Sequence, residues 1–431
     1  MNIETEIQYP CAESFFMEPI KKYLTKSYSC LNEIEYNNNP AIIVVIPAFN
    51  ESMILNSLNS LKAASCASNV MVLIVVNYSE RASANEKKFN RILFDLLKEW
   101  CKLYSTGQLL FQVVLVSEMC RKHAGAGLAR RTGMDTAIDV FFNNKNPDGV
   151  ILSLDADTKV KPNYFETVNA HFNQYPDTNV LLIDFHHDLE AAPQELRRAI
   201  ILYELYLNYY VLGSRLAGFP YAYHTIGSAF AVKAAAYVRQ GGMNKKHAGE
   251  DFYFLHKMFP LYENYRTYDT CVYPSARVSL RVPFGTGPAM HDILKNDLEL
   301  RVYHPDAFME LKDFYLNMGD LFQKTVAIDN LVGKVLRLYL SKIDFNTKIK
   351  EARNNTSSRA QFVKRLLRHF DAFQLVKYLN FAHEKGYYKR IPVLDAVQKL
   401  LFQNQLYVDT NYNLLMEVRK LEKTTPLRQL R

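Results

Sequence analysis

Two carboxylates stand one residue apart in Asp155-Ala156-Asp157, directly after the apolar segment Val150–Leu154. That segment has the length and the β-branched content of a buried strand. Two carboxylates at its end repel each other unless a cation or hydrogen-bond donors compensate them. Hard oxygen ligands suit Mg²⁺ or Mn²⁺, which also bridges the oxygens of a diphosphate. The spacing and the position therefore predict a divalent-metal site.

A second acidic pair, Glu250-Asp251, precedes a helical pattern formed by Phe252, Leu255 and Phe259. The helix dipole favours acidic residues at a helix N-terminus, which is the structural explanation for the pair. The functional explanation makes one of the two a general base that accepts a proton from a reacting hydroxyl group.

Polar residues also follow the first two strand-like segments. After the first comes Pro47-Ala48-Phe49-Asn50-Glu51, in which proline ends the ladder and Asn50 is placed to cap a helix that starts near Glu51. After the second comes Asn77, whose amide either pairs with a nucleobase edge or forms an ordinary turn.

A basic, glycine-containing stretch follows the third strand-like segment, at residues 122–133. Glycine permits close backbone approach and arginine offers a planar fork for phosphate, so a diphosphate site is one interpretation. A helix start packed against a neighbour has the same composition. The stretch matches neither the dinucleotide-binding fingerprint nor a P-loop.

The elements that must position these residues alternate between strand and helix. The strand-like segments are Ile42–Ile46, Val70–Val76, Phe111–Val116, Val150–Leu154 and Val180–Phe185. Their nearly continuous apolar character predicts a parallel sheet covered on both faces by helices. One predicted helix face carries Ile54, Leu58 and Leu61, and another carries Phe89, Ile92, Leu93 and Leu96. Open α/β sheets bind ligands beyond the carboxyl ends of their strands, where these motifs lie.

The character of the chain changes near residue 290. Segments Leu321–Lys342 and Gln361–Leu379 have helical spacing. We predict three parts: an N-terminal extension at 1–40, an α/β domain at 41–290 and a helical extension at 291–431. Aromatic residues of the extension are expected to pack in its core, namely Phe362, Phe370, Phe373, Tyr378 and Phe381.

Charge is unevenly distributed along the chain. The formal net charge is +8, and residues 331–431 hold twenty Lys and Arg against eight Asp and Glu. Such a stretch is either a solvated basic face or a surface for an anionic membrane or an acidic partner. Nucleic acid is not expected as a partner.

Features of export are missing from the sequence. The first residues lack the basic and apolar regions of a signal peptide, and no apolar run approaches the roughly 18 residues that a membrane span needs. The six cysteines contain no Cys-x-x-Cys pair and are interpreted as reduced core thiols. Together these observations predict a cytoplasmic protein, and the basic C-terminal stretch adds peripheral membrane contact as an option.

The order of the motifs resembles that of family 2 glycosyltransferases of the GT-A fold, over roughly residues 41–290. The resemblance implies a GT-A, Rossmann-like, mostly parallel sheet flanked by helices, and transfer of a hexose from a nucleotide-diphosphate sugar in polysaccharide or glycoconjugate synthesis. UDP is the common donor nucleotide of the family. The acceptor, a glycan or a glycolipid among the candidates, is not identified. No Gln-x-x-Arg-Trp motif of processive synthases is present, so non-processive transfer is expected.

Residue by residue, the resemblance implies the following roles. Residues Pro47, Ala48, Phe49, Asn50 and Glu51 line the nucleotide pocket, and Asn77 stands where the family usually has a base-reading aspartate. Arg130 falls on the arginine of the family's Ala-Arg-Asn-x-Gly motif. Asp155, with Ala156, approaches the ribose or the sugar, and Asp157 binds Mn²⁺ or Mg²⁺. Asp251 is the catalytic base, with Glu250 beside the acceptor, and residues 224–232 form the acceptor-side floor.

Two arginines four residues apart, Arg277 and Arg281, precede a Gly-Thr-Gly turn and either close over the donor diphosphate or belong to a surface loop. A similar segment occurs in enzymes resembling the glucosylglycerate synthases, which retain anomeric configuration. The family otherwise implies direct displacement with inversion. His247 and His291 are candidates for a third metal ligand.

Two other classes compete with this interpretation. A nucleotidyltransferase would carry a glycine-rich basic loop after its first strand, where this chain has Pro47-Ala48-Phe49-Asn50-Glu51. A non-catalytic binding scaffold, docked through its basic C-terminal helices, would bind neither metal nor nucleotide.

Overall fold

The computed structural model describes residues 12–30, 33–35, 38–120, 124–246, 249–261, 264–279, 285–402, 408 and 410–427. The chain forms two compact units. The first comprises Met1–His186 and Thr225–Ser275, and the second comprises His187–His224 and Ala276–Arg431. The division at residues 40 and 290, which follows motif content, stays a prediction.

The first unit is built on an eight-stranded sheet, and the second contains a two-stranded one. The strands are β1 (Ile42–Ala48), β2 (Val70–Ser79), β3 (Leu109–Met119), β4 (Val150–Ser153), β5 (Lys159–Val160), β6 (Val180–Phe185), β7 (Phe230–Lys233), β8 (Asn264–Tyr273), β9 (Arg301–Val302) and β10 (Ile391–Pro392). The large sheet has the order β3-β2-β1-β4-β7-β6-β8-β5. All five strands expected from the sequence are present.

Most neighbouring strands of the large sheet are parallel. Strands β3, β2, β1 and β4 run parallel to one another, as do β6 and β8. Strand β7 is antiparallel to both β4 and β6, and the short β5 is antiparallel to β8. Residues 42–46 and 70–76 are buried throughout, as strands covered on both faces must be. The predicted fold class, a mostly parallel Rossmann-like sheet flanked by helices with a helical C-terminal part, is confirmed.

Sixteen α-helices are found among the described residues. They are α1 (Ala12–Leu24), α2 (Ile54–Lys62), α3 (Ala84–Tyr104), α4 (Ala126–Asn143), α5 (Tyr164–Gln174), α6 (Gln194–Leu216), α7 (Ala234–Arg239), α8 (Glu250–Met258), α9 (Thr286–Lys295), α10 (Pro305–Asn317), α11 (Lys334–Lys342), α12 (Phe345–Asn354), α13 (Arg359–His369), α14 (Ala372–Glu384), α15 (Val393–Leu401) and α16 (Asn411–Thr424). Helix α6 and helices α9 to α16 belong to the second unit.

Helix α3 forms where expected but buries a different face. Phe89, Ile92 and Leu96 are exposed, so their predicted placement was wrong, whereas Leu93 and Leu97 are buried. A helix on a sheet buries one stripe about 100° wide, and the neighbouring stripe remains in solvent although it is also apolar. The face predicted for α2 is confirmed, since its three apolar residues are buried.

The helical extension is more broken than its periodicity indicated. Leu321–Lys342 is not one helix, because 3₁₀ turns occupy residues 318–322 and 328–330 and α11 begins only after Gly333. Gln361–Leu379 is divided at Asp371, whose carboxylate accepts a 2.9 Å hydrogen bond from the Gln374 N–H and so caps α14.

Of the five aromatic residues predicted to pack in the core of the extension, three are fully buried, Phe381 is half-buried and one is exposed. Phe362, Phe370 and Tyr378 are fully buried, as predicted. Phe373 is exposed instead, with the Lys377 ammonium 4.3 Å from its ring centroid. Phe373 is therefore a correction to the predicted core.

Buried ion pairs join the last helix of the second unit to α6. Arg419 donates to both oxygens of the Glu204 carboxylate, at 2.6 and 2.9 Å, and the His187 Nδ1 lies 2.9 Å from Glu204 Oε2. Burial by itself raises the pKa of Glu204, but the hydrogen bonds from His187 and Arg419 outweigh it and hold that pKa well below its ordinary value. Arg215 pairs with Glu422 at 2.7 Å. Helix α16 is thus part of the core of this unit.

The surface of α13 carries much of the positive charge, with Arg359, Lys364 and Arg368 exposed. Among the described residues, no helix combines the length and the apolar character needed to cross a bilayer. Peripheral membrane contact and a cytoplasmic location stay predictions.

The five described cysteines are free thiols. Cys101 and Cys271 are buried and Cys30 and Cys66 are half-buried, but Cys120 is exposed just after β3. The expectation of core thiols was therefore wrong for Cys120. Burial raises the pKa of the Cys101 thiol to about 12.

The packing of α4 on β1 and β2 depends on Gly133. A Cβ atom there would lie 2.4 Å from Val45 Cγ1 and 2.9 Å from Val75 Cγ2. Valine side chains are stiff about χ1, so we expect Gly133→Ala to lower the free energy of unfolding by about 1–3 kcal/mol. The clash outweighs the gain of about 1 kcal/mol in helix propensity.

Urea denaturation measures this change, and Gly107→Ala is the matched control because nothing lies within 4 Å of a Cβ atom there. Equal stability of the Gly133 variant and the wild type would contradict the close packing.

Candidate active site

One buried guanidinium group organises the carboxyl end of β4. Arg130 of α4 donates from Nη2 to Asp155 Oδ1 at 2.7 Å and from Nε to Glu250 Oε1 at 3.2 Å. Its Nη1 donates to Ser153 Oγ at 2.6 Å and to the Gly227 carbonyl oxygen at 3.2 Å. The Arg130 side chain is 4% exposed, so these groups compensate a charge that has been removed from water.

Residues far apart in the sequence are brought together here by four elements. Ser153 ends β4 and Asp155 follows it, Gly227 precedes β7, and Glu250 begins α8. Because β4 and β7 are neighbours in the sheet, the residues at the end of one strand and the start of the other meet at the same edge. The motifs predicted to cooperate, around Asp155 and Glu250, do meet.

Asp251 approaches the same point from α8. A Cβ atom on Gly227 would lie 3.0 Å from Arg130 Nη2 and 3.1 Å from Asp251 Oδ2. Both groups therefore lie on the side of Gly227 where any other residue would carry its Cβ atom. A larger residue at this position would clash with them. The other oxygen of Asp251 accepts a 2.7 Å hydrogen bond from the N–H of Phe252.

The pKa of the Asp251 carboxyl group is raised from its ordinary value to near neutral pH. Burial raises its pKa, and the negative charge of Glu250 raises it further; Arg130 opposes both, and the pKa comes to about 7. A carboxylate with such a pKa accepts a proton from a hydroxyl group more readily than an ordinary aspartate does, and about half of it is ionised near neutral pH.

Asp157, two residues after Asp155, has a partner of its own. The hydroxyl group of Ser275, just beyond β8, donates to Asp157 Oδ2 at 2.7 Å. Asp157 is half-buried, unlike the fully buried Ala156 before it. Carboxylate and hydroxyl oxygens are hard donors, so the residues around Asp157 fit Mg²⁺ or Mn²⁺.

The loop after β1 differs in detail from its prediction. Pro47 and Ala48 are the last residues of β1, and Phe49 follows them. The helix starts only at Ile54, with Met53 as its N-cap, so the predicted capping by Asn50 was wrong.

Asn50 is held by the neighbouring helix instead. Its backbone has φ 50°, and its N–H donates to Asn90 Oδ1 at 3.0 Å, while Asn90 Nδ2 donates to Asn50 Oδ1 at 2.6 Å. The Glu51 carboxylate accepts a 3.1 Å hydrogen bond from the N–H of Met53. Contacts within the protein thus define this loop.

Asn77 is 3% exposed, and its amide nitrogen donates to the carbonyl oxygens of Ala48 and Val75 at 3.0 and 3.2 Å. It ties the end of β2 to the end of β1. That contact is the role its side chain has in the structure, whereas base recognition stays a prediction.

Arg131, next to Arg130 on α4, has a different partner. Arg131 turns away, donating to the Met243 carbonyl oxygen at 2.7 Å. Arg277 and His291 belong to the second unit. Arg281 and His247 lie outside the described residues.

Sequence reasoning missed the roles of three small residues, Ser153, Gly227 and Ser275. The role of Ser153 could have been suspected from the sequence, since its hydroxyl group interrupts the otherwise apolar segment 150–154. Nothing in the sequence indicated the role of Ser275, because its contact with Asp157 depends on the pairing of β5 with β8.

Comparisons with known proteins give fold-level similarity. No family model and no curated protein matches the chain. Among solved structures, TarS 1–349 of S. aureus in complex with UDP-GlcNAc is 16% identical, with a TM-score of 0.39 over 81% of this chain and 93% of that one. The mannosyltransferase PcManGT from Pyrobaculum calidifontis, in complex with GDP-Man and Mn²⁺, is 14% identical, with a TM-score of 0.35 over 83% of this chain and 94% of that one. At these values the chemistry of this chain has to be inferred from its own site.

The buried charge of Arg130 gives the site its first test. Arg130→Met removes the cation that faces Asp155, Glu250 and Asp251. Breaking a buried ion pair from one side costs about 3–5 kcal/mol, so we expect a loss of that order in the free energy of unfolding. Chemical denaturation measures it.

Arg81→Met is the control for Arg130→Met, since Arg81 is exposed and its side chain lies outside the cluster. A loss below about 1 kcal/mol for Arg130→Met, the range of exposed pairs, would show that the guanidinium does not hold the carboxylates together.

Proposed function

We propose that the chain is a metal-dependent, non-processive glycosyltransferase that moves a sugar from a nucleotide-diphosphate donor, with UDP as the nucleotide, to a hydroxyl group with inversion. The convergence of Asp155, Glu250 and Asp251 on Arg130 carries the proposal. The raised pKa of Asp251 supports a role as base, and the hard oxygen donors of the Asp155-Ala156-Asp157 motif support a role in metal binding, at an edge of the sheet of the kind where α/β folds bind their ligands.

The two aspartates of the Asp155-Ala156-Asp157 motif have separate roles in this proposal. Asp155 is paired with Arg130 at 2.7 Å and so is fixed within the protein, facing the sugar or the ribose. Asp157 would hold the divalent cation, with the hydroxyl group of Ser275 orienting its carboxylate. When bound, such a cation neutralises the charge of the departing diphosphate.

Asp251 supplies the proton acceptor. Its carboxylate takes the proton of the acceptor hydroxyl while that oxygen forms its bond to the anomeric carbon and the bond from this carbon to the diphosphate oxygen breaks. The proton ends on Asp251, and the electron pair of the broken bond leaves with the nucleotide. Arg130 stays within the cluster throughout and limits the repulsion between Asp251 and its acidic neighbours.

Donor binding is tested by thermal and chemical unfolding with UDP, GDP, ADP and CDP, each with and without Mn²⁺. A ligand that binds only the folded state at a hundred times its dissociation constant adds about 2.7 kcal/mol. We expect UDP to stabilise the wild type in the presence of Mn²⁺ and to lose that effect in Asp157→Asn.

Asp177→Asn is the matched control, because Asp177 is exposed in the same unit and its side chain lies outside the site. Stabilisation by another nucleotide and not by UDP would show that the donor sugar carries that other nucleotide. If no nucleotide acted at millimolar concentration, the transferase proposal would fail and the binding-scaffold alternative would take its place.

The pH dependence of turnover tests the base. Release of nucleoside diphosphate from the donor sugar, with water as acceptor, requires ionised Asp251. We therefore expect kcat/KM to rise about tenfold per pH unit below the pKa of about 7 and to level off above it. Asp251→Asn should lower the rate by about 10²–10⁴-fold and abolish the rise of kcat/KM with pH below about 7.

Nucleotide binding should survive in Asp251→Asn, which separates loss of the base from loss of the donor site. A pH profile that is flat from pH 5 to 8 in the wild type would remove Asp251 from this role.

A further inference from the structure

A second cluster of metal-binding side chain types lies outside the Arg130 site. It consists of Asp184, His186 and Cys271, all of the first unit. A carboxylate oxygen, a ring nitrogen and the sulfur of these residues all lie within 4.8 Å of one another. Asp184 and Cys271 are buried and His186 is half-buried.

The backbone of two parallel strands creates this cluster. Asp184 and His186 are two residues apart at the end of β6, a spacing that directs side chains to one face. The pairing of β6 with β8 is regular up to Ile183 opposite Thr267 and then shifts, so that Cys271 stands opposite Asp184. The N–H of His186 donates to the Val272 carbonyl oxygen at 3.1 Å, which fixes the end of the ladder. The register shift is what brings the thiol to the other two groups.

The distances suit a small tetrahedral ion. Bonds of about 2.0–2.3 Å in that geometry place ligand atoms roughly 3.3–3.6 Å apart. His186 Nε2 and Asp184 Oδ2 are already 3.2 Å apart, and the Cys271 sulfur, which lies within 4.8 Å of the other two ligand atoms, has to move closer by about 1 Å at most.

Arg266 supports the carboxylate from the other side. Its Nη2 donates to Asp184 Oδ1 at 2.9 Å, and its side chain is 9% exposed. A ligating carboxylate is commonly oriented by such an outer partner. Asp184 Oδ2 is thereby directed to the side on which His186 lies.

The geometry points to a zinc site formed by Asp184, His186 and Cys271, separate from the hard-cation site at Asp157. A thiolate and an imidazole favour Zn²⁺ over Mg²⁺ or Mn²⁺. On binding, the thiol of Cys271, which donates to the Val272 carbonyl oxygen at 3.3 Å, gives up its proton to solvent. Three protein ligands leave the fourth position of the ion to water.

An ion bound at Cys271 would also affect the position of the neighbouring Asp157. Strand β8 ends at Tyr273, and Ser275, two residues further on, donates to Asp157. Val272 and Tyr273 also pair with Val160 and Lys159 of β5, directly after the acidic motif. An ion at Cys271 would therefore fix the segment that orients Asp157.

Cobalt(II) alone is the probe, because a Co²⁺–thiolate bond absorbs in the near ultraviolet and tetrahedral Co²⁺ absorbs strongly in the visible. The full chain, stripped with a chelator, is titrated without nucleotide. We expect one Co²⁺ per chain with the thiolate band, displaced by equimolar Zn²⁺ and unaffected by a large excess of Mg²⁺. Cys271→Ser should abolish the band, and His186→Gln should weaken Co²⁺ binding by at least about tenfold.

Two thiols serve as controls. Cys120→Ser removes the exposed thiol and Cys101→Ser a buried one, and both should keep the band. Asp157→Asn should keep it as well, so the result is independent of the proposed donor site.

Folding of the variants is checked by thermal unfolding in chelator. His186 is the second test if Cys271→Ser unfolds, since its side chain is 22% exposed. Zn²⁺ should then raise the Tm of the wild type but not that of His186→Gln. A band that persists without Cys271, or equal stabilisation of His186→Gln and the wild type by Zn²⁺, would overturn the proposal.

Discussion

The guanidinium of Arg130 carries the one charge on which the arrangement of the candidate site depends. Three acidic side chains, Asp155, Glu250 and Asp251, come from two distant parts of the chain and would repel one another at an edge of the sheet that is partly shielded from water. Arg130 pairs directly with Asp155 and Glu250 and lowers the pKa of Asp251, which their charges and burial raise. The close approach of α4 to β1 and β2 at Gly133 places the arginine there. Packing of a helix on a sheet thus sets the electrostatics of the site.

Buried charge also shapes the second unit, with a different outcome. Glu204 is surrounded by Arg419 and His187 and is held ionised, so it contributes to the docking of α16 on α6. Burial is the largest cause of the raised pKa of Asp251, and the negative charge of Glu250 adds to it while Arg130 opposes both. Buried carboxyl groups therefore form a structural ion pair in one unit and have a raised pKa in the other. The sign of the nearest charges makes the difference.

Several predictions from the sequence were right because they rest on local patterns. Apolar runs of strand length predicted five of the eight strands of the large sheet, and Asp155-Ala156-Asp157 does follow one of them. The errors occurred where a local pattern fits two arrangements. Phe89 and Leu96 form an apolar stripe on α3 as good as that of Leu93 and Leu97, and only contact with the sheet selects between them. Likewise Asn50 is a good helix cap in isolation, but the structure uses its Oδ1 to accept a hydrogen bond from Asn90, and the helix begins only at Ile54.

By itself the sequence determined the alternation of strands and helices, the fold class and the acidic motifs, since strand burial and turn chemistry are written in neighbouring residues. Tertiary structure alone decided the partners of those motifs. The contacts of Arg130 with Glu250, of Asp157 with Ser275 and of Asp184 with Cys271 join residues 87 to 120 positions apart. Sheet order and strand register set such contacts, and a shift of register by a few residues, as between β6 and β8, changes which side chains meet.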